Sequence, residues 1–273
     1  MSRRKPTRAR GFSLVELLTA LAILLIVCGV AFALLTVSMK KYHSDSQLLN
    51  TFQEARFGLD QIVRDINDSG FPPRVAIQAT NSPPVPFQRY AVAPLAWGPF
   101  GTYPNSPCAI GTTCNVTPSR YDMIIETDID PDNHEGTVEW VRYQLSGTIL
   151  YRGVVAKSSN PGDDPEAITS GHLVPYVQNV VNNPPAAQLA TLQAQYPLMF
   201  PSGPVPVFQY FCESTPQPLD CTSTSPPPMT DDPTHVVAVV VTLIVQAPTT
   251  DMTTGRLQLV QLKGEGRRLN PDN

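Results

Sequence analysis

An uncharged apolar run from Leu17 to Met39 constrains this chain more than any other feature. Its 23 residues, wound as a helix at about 1.5 Å each, span roughly 35 Å, enough for a hydrocarbon core of about 30 Å. Ahead of it lie Arg3, Arg4, Lys5, Arg8 and Arg10, with no acidic residue before Glu16. Basic residues on one flank favour the cytoplasmic side, which sends the C-terminal bulk outward. Glu16 does not fit a plain anchor, because a carboxylate at the start of a membrane segment is costly unless paired or functional. A secretory signal fits no better: its apolar region is about 7–15 residues long with a small-residue cleavage site behind it, and no A-x-A site follows here.

The segment Arg10-Gly11-Phe12-Ser13-Leu14-Val15-Glu16 resembles the type IV prepilin leader, a short basic stretch followed by Gly, Phe and Glu at these spacings. The resemblance implies cleavage between Gly11 and Phe12 by a prepilin peptidase, then methylation of the new Phe12 amine. It also implies that Glu16 pairs with the amino terminus of a neighbouring subunit during assembly. Residue chemistry agrees, since cleavage creates a cation near a carboxylate that has no other partner in lipid.

The formal charge of −4 hides a split: the leader carries five basic residues, leaving 14 basic against 23 acidic in the rest. An acidic exported domain gives no support to nucleic-acid binding, and none is expected. Of 29 prolines, none falls between Thr7 and Phe71 and 28 begin at Pro72, which marks one long helix and then a loop-rich head. Cys28 lies inside the apolar run and reads as a small packing residue. Cys108 with Cys114, and Cys212 with Cys221, read as two local disulfides in an oxidising compartment. Zinc is the alternative, but the spacings are not CxxC, and His43, His134, His172 and His235 do not cluster around them.

Beyond Lys40 and Lys41 the helix is expected to continue. Leu48, Phe52, Ala55, Leu59, Ile62 and Ile66 keep one apolar stripe, assigned to packing on the chain's own head, with Glu54, Arg56, Asp60, Arg64, Asp65 and Asp68 on the other side. Gly70 suits a C-cap and Pro72-Pro73 stop the helix, so residues 12–69 form one element of about 87 Å. Partner packing is assigned to its first half. Residues 72–120 read as an irregular connection with a short strand or two. Strands follow at 121–129, at 137–145 and 148–154 across a Ser146-Gly147 hairpin, and at 174–181, 205–211, 235–246 and 256–263, with a short helix at 186–195. The strand at 235–246 is almost wholly apolar and should be buried on both faces.

One helix followed by antiparallel strands is an α+β arrangement. The stretch from Glu54 to Phe71, the strand pieces 139–145, 150–152 and 208–211, and the Val236–Val245 strand resemble W-type minor pilins and J-type minor pseudopilins. That resemblance implies a pilin-like fold: an antiparallel sheet head packed on the amphipathic half of the helix. The expected organisation is a leader at 1–11, a membrane or filament-core half at 12–39, an amphipathic half at 40–70 and a periplasmic or extracellular head at 71–273.

Within the head, Asp128, Asp130, Asp132 and Glu139 fall at positions 1, 3, 5 and 12 of an EF-hand-like calcium loop. Asn133 replaces the glycine of the sharp turn and the flanks read as strands, so a solvated polar hairpin is favoured. These four remain the candidate Ca²⁺ ligands, and no other cofactor is expected. No G-x-S-x-G, H-E-x-x-H or P-loop occurs, and no enzyme is expected. Asp163-Asp164 and Asp231-Asp232 read as solvated loop charges, and His172 and His235 as strand-edge residues.

The resemblance implies a minor type IV pilin that helps initiate assembly. No proline interrupts the apolar helix, unlike many major pilins, and Glu16 disfavours the K-type tip pseudopilin. The implied partners are the prepilin peptidase, other pilins or pseudopilins, the inner-membrane assembly platform and, before assembly, lipid. The implied location is a single pass in a bacterial inner membrane with a periplasmic head, then a filament. Alternatives are a minor pseudopilin of type II secretion, or a tip adhesin or DNA-uptake subunit using its Pro-rich loops.

Overall fold

The computed structural model describes residues 13–78, 84–98, 108–114, 116–129, 136–213, 219–221, 232–250 and 255–268. The chain divides into two compact units, Met1–Gln47 and Leu48–Asn273. Helix α1, Leu14–Asn67, supplies the described structure of the first and opens the second. Its apolar N-terminal portion is long and apolar enough to cross a membrane, and none of that stretch is buried within the chain. Such a surface needs lipid or other apolar helices around it.

In the second unit the expected stripe is the buried side of α1: Ala55, Leu59, Ile62 and Ile66 belong to the main core. The helix ends in a turn at residues 68–70, where Gly70 takes φ +80° and donates its N–H to Glu126 O at 2.8 Å. That left-handed conformation suits glycine and stops the helix before Pro72.

Two antiparallel sheets follow. The first is ordered β1 (Leu95–Ala96), β2 (Asp122–Thr127), β3 (Glu139–Ser146), β4 (Ile149–Ala156) and β5 (Val174–Val177). A tight turn through Gly147, at φ +60°, joins β3 to β4 as the Ser146-Gly147 pair suggested. The second is ordered β7 (Leu219–Asp220), β6 (Phe208–Cys212), β8 (Val236–Thr250) and β9 (Leu257–Arg267). As expected, β8 is central and buried along most of its length. It runs on through Pro248 to Thr250, further than its composition suggests, because β9 pairs with it as far as Leu257.

Alternation along β2 and β3 separates two chemistries. Met123, Ile125, Val141 and Tyr143 form one face, and the Tyr143 hydroxyl reaches Asp65 of α1. Asp122, Ile124, Glu126, Trp140, Arg142 and Gln144 form the other, and Arg142 reaches Glu166 of α3 (Pro165–Ser170). Helix α4 (Ala186–Gln195), at the expected residues, has Leu192 packed with Val181, Phe200 and Ile244 in a second core cluster. The short β1, β7, α3 and α2 (Arg74–Gln78) have too few residues for a periodic pattern, and the strand and helix rules pass over them. The chain is α+β, a long N-terminal helix packed with antiparallel sheets, consistent with a pilin-like fold.

Cys108–Cys114 and Cys212–Cys221 are disulfides, closing loops of sequence separation 6 and 9. Asp65 corrects the helical-wheel reading. It is buried, and it accepts hydrogen bonds from Tyr143 Oη at 2.6 Å and Arg152 Nη2 at 3.0 Å. It lies at the margin of the apolar stripe, where partners from β3 and β4 replace water.

Candidate functional site

The sequence singles out the start of α1, and the geometry there is specific. Ser13 precedes the helix and Glu16 sits in its first turn. Ser13 N–H donates to Glu16 Oε2 at 3.0 Å, and Glu16 N–H donates to Ser13 Oγ at 3.2 Å. This reciprocal pair is a capping box, which satisfies two of the four N–H groups that a helix start leaves open. It also holds a carboxylate at the positive end of the helix dipole. The S-x-x-E spacing from Ser13 to Glu16 is the sequence signal for this cap. Gly11 and Phe12 lie outside the described residues.

Of the four candidate calcium ligands, Asp130 and Asp132 lie outside the described residues, and Glu139 Oε2 accepts the backbone N–H of Ile129 at 3.0 Å. Among the described residues no three His, Cys, Asp or Glu side chains gather as a metal site.

Several of the head's charged side chains are buried. Lys157 Nζ stands 3.1 Å from Glu126 Oε1, and both side chains are fully buried. Trp140 Nε1 and Val92 N donate to the same carboxylate at 2.8 and 2.7 Å, Tyr90 O accepts from Lys157 at 2.9 Å, and the Phe87 ring lies 4.0 Å from the ammonium. Burial lowers the Lys157 pKa and outweighs the opposing pull of Glu126. A second network joins Asp122 to Arg142 through bonds of 3.0 and 2.7 Å. Glu166 Oε1 accepts from Val116 N, Thr117 N and Thr117 Oγ1. Burial raises the Asp122 pKa against the pull of Arg142. Lys157 with Glu126 and Asp122 with Arg142 are buried ion pairs, while Glu166 holds the backbone at Val116 and Thr117.

Three loop carboxylates also correct the sequence reading. Asp164 caps α3 through Glu166 N at 2.9 Å, while Asp163 accepts from Asn160 Nδ2 at 2.7 Å and from Ser158 Oγ. Asp232 accepts from Thr234 N at 2.8 Å and pairs with His235 Nδ1 at 3.0 Å. Asp164 and Asp232 each precede a turn whose backbone N–H needs an acceptor, a role that Asp followed closely by Pro signals, while Asp163 ties together side chains of its own loop. Asp231 lies outside the described residues.

The family model for the prokaryotic N-terminal methylation motif matches residues 6–32, which include Gly11, Phe12, Ser13 and Glu16. No curated protein and no solved structure matches the chain. The motif implies processing by a prepilin peptidase and assembly with other pilins, and with the apolar helix it fits membrane anchoring.

Proposed function

We propose, for a chain whose N-terminus is that of a type IV prepilin-like protein, that it serves as a W-type minor pilin helping to initiate filament assembly. The methylation motif on residues 6–32, placed on a helix apolar enough to span a membrane, carries this reading. In it, the leader at 1–11 is removed, Phe12 is methylated and Glu16 takes the amine of a neighbouring subunit. The subunit waits in the inner membrane with its head in the periplasm, then enters a filament whose core is built from apolar helices. Such a subunit lowers the cost of extracting the first major subunits from lipid. Its work is association, with no substrate turned over.

A minor pseudopilin of type II secretion would share all these parts, so partners decide between the two. A crosslinked pull-down from membranes through a C-terminal tag, read by mass spectrometry, reports both partners and the N-terminal peptide. A methylated Phe12 terminus with pilins and a pilus platform is the expected result. The same terminus with secretion pseudopilins moves the protein to the second system, and an uncut leader without filament partners overturns both.

A further inference from the structure

Strand β9 ends the second sheet, with β8 on one side of it. Arg268 N–H donates to Val237 O at 3.0 Å, and the antiparallel register assigns the backbone groups of Leu262, Gly264 and Gly266 to β8 as well. Those of Leu259, Gln261, Lys263 and Glu265 therefore point away from β8. The two ends of this edge are closed: the Tyr196 hydroxyl donates to Leu257 O, and Asn67 Oδ1 accepts Arg267 N–H at 2.8 Å. Between them, among the described residues, no hydrogen bond reaches the outward backbone groups of those four residues.

An open edge invites another strand, and a lysine on it ordinarily discourages one. Here the lysine does not stand alone. Gln261, Lys263, Glu265 and Arg267 are exposed along one face, while Val260 and Leu262 on the other pack against the main core. Glu265 takes Arg267 Nε at 2.7 Å, and Lys263 has no ion-pair partner among the described residues.

We propose that this edge pairs antiparallel with the same edge of a second copy of the chain. Backbone hydrogen bonds supply the contact, and charge sets its register. With the two Gly264 residues opposite each other, Lys263 of each copy faces Glu265 of the other, and Gln261 faces Arg267. Lys263 and Glu265 then exchange N–H and C=O bonds across the junction, and Gln261 N–H meets Arg267 O. Sliding one copy by two residues in either direction sets Lys263 against Lys263 or Glu265 against Glu265, which like charges oppose. The contact is two-fold and self-complementary. A filament repeat keeps its subunits in one sense, so this pairing is separate from filament assembly and does not depend on that reading.

The test uses the full-length chain in detergent. Sedimentation over a range of concentrations reads the monomer–dimer constant, and thermal melting reads the fold. The wild type should dimerise. Lys263→Glu and Glu265→Lys, each placing like charges opposite at both ends of the two-fold pair, should each weaken the dimer about ten-fold. The double variant Lys263→Glu with Glu265→Lys should restore it, because the opposed charges are again unlike. Gln261→Pro removes an outward N–H that β8 does not use, so it should weaken the dimer and leave the melting temperature in place.

A wild type that stays monomeric throughout would overturn the proposal. So would a dimer indifferent to both charge reversals, which would belong to the apolar helices, and a double variant as weak as the single ones, since opposed charge would then not set the register. A wild-type monomer whose Lys263 and Glu265 instead crosslink to a companion subunit would give the edge to another occupant and overturn it as well. None of these results bears on leader removal or filament entry.

Discussion

Lys157 shows how much a single residue carries in this head. Its ammonium and the Glu126 carboxylate are both fully removed from water, and Trp140, Val92 and Tyr90 complete their hydrogen bonds. Removing one partner of such a pair leaves a buried charge uncompensated, at a cost of about 3–5 kcal/mol. Lys157→Met should therefore lower the unfolding free energy of the detergent-solubilised chain by about that amount. Adding Glu126→Gln should recover part of the loss, because no buried charge then remains. Asp232 gives a pH dependence of known sign. Burial pushes its pKa up, but hydrogen bonds from Thr234 and His235 more than offset this and hold it below the ordinary 3.8. The folded state then binds fewer protons than the unfolded chain in the window below 3.8, so this contribution is present above that value and is lost as pH falls through it. Thermal unfolding measured from pH 5 down to about pH 2.5 should show a shallower decline in Asp232→Asn. Neither the Lys157–Glu126 pair nor the Asp65 contacts were legible in sequence, because the partners come from segments 31 and more residues apart.

At the scale of elements, small residues set how closely α1 approaches the sheets. A Cβ on Gly58 would stand 2.4 Å from Val177 Cγ2, and one on Gly266 would stand 2.6 Å from Ile66 Cβ. Both distances are well inside contact, so the helix or the strand would have to move. Gly266→Ala should cost about 1–3 kcal/mol by overpacking, read as a lower urea midpoint without change in m. Gly58→Ala offers a sharper comparison, since helix propensity favours alanine by about 1 kcal/mol and the clash opposes it; a net loss is expected. The two disulfides close short loops, for which chain entropy gives about 2–3 kcal/mol each. Cys212→Ser with Cys221→Ser should lower the melting temperature of the head accordingly, and addition of a reductant should no longer reach that part of the loss.

For the whole molecule, the division into an apolar helical unit and a mixed second unit makes two separable readouts. The chain should stay with membranes through alkaline extraction, as expected for a helix that spans. Protease added to spheroplasts should digest the head while the membrane segment survives. Digestion only after lysis would reverse the orientation assigned from the basic leader.

Sequence alone determined what rests on local pattern. The uncharged run from Leu17, the 3–4 spacing of Leu59, Ile62 and Ile66, the stop at Gly70, helix α4 and the Gly147 hairpin all follow from neighbours a few residues apart. The prepilin-like motif is likewise a contiguous stretch that needs no fold to be read. Tertiary structure decided what depends on distant partners. Asp65 turns inward because Tyr143 and Arg152 meet it, and Lys157 is buried because Glu126 and Phe87 close around it. Glu166 pins the loop at Val116 and Thr117 from fifty residues away. The physical reason is that a charged side chain reads as solvated until the fold supplies the groups that replace water.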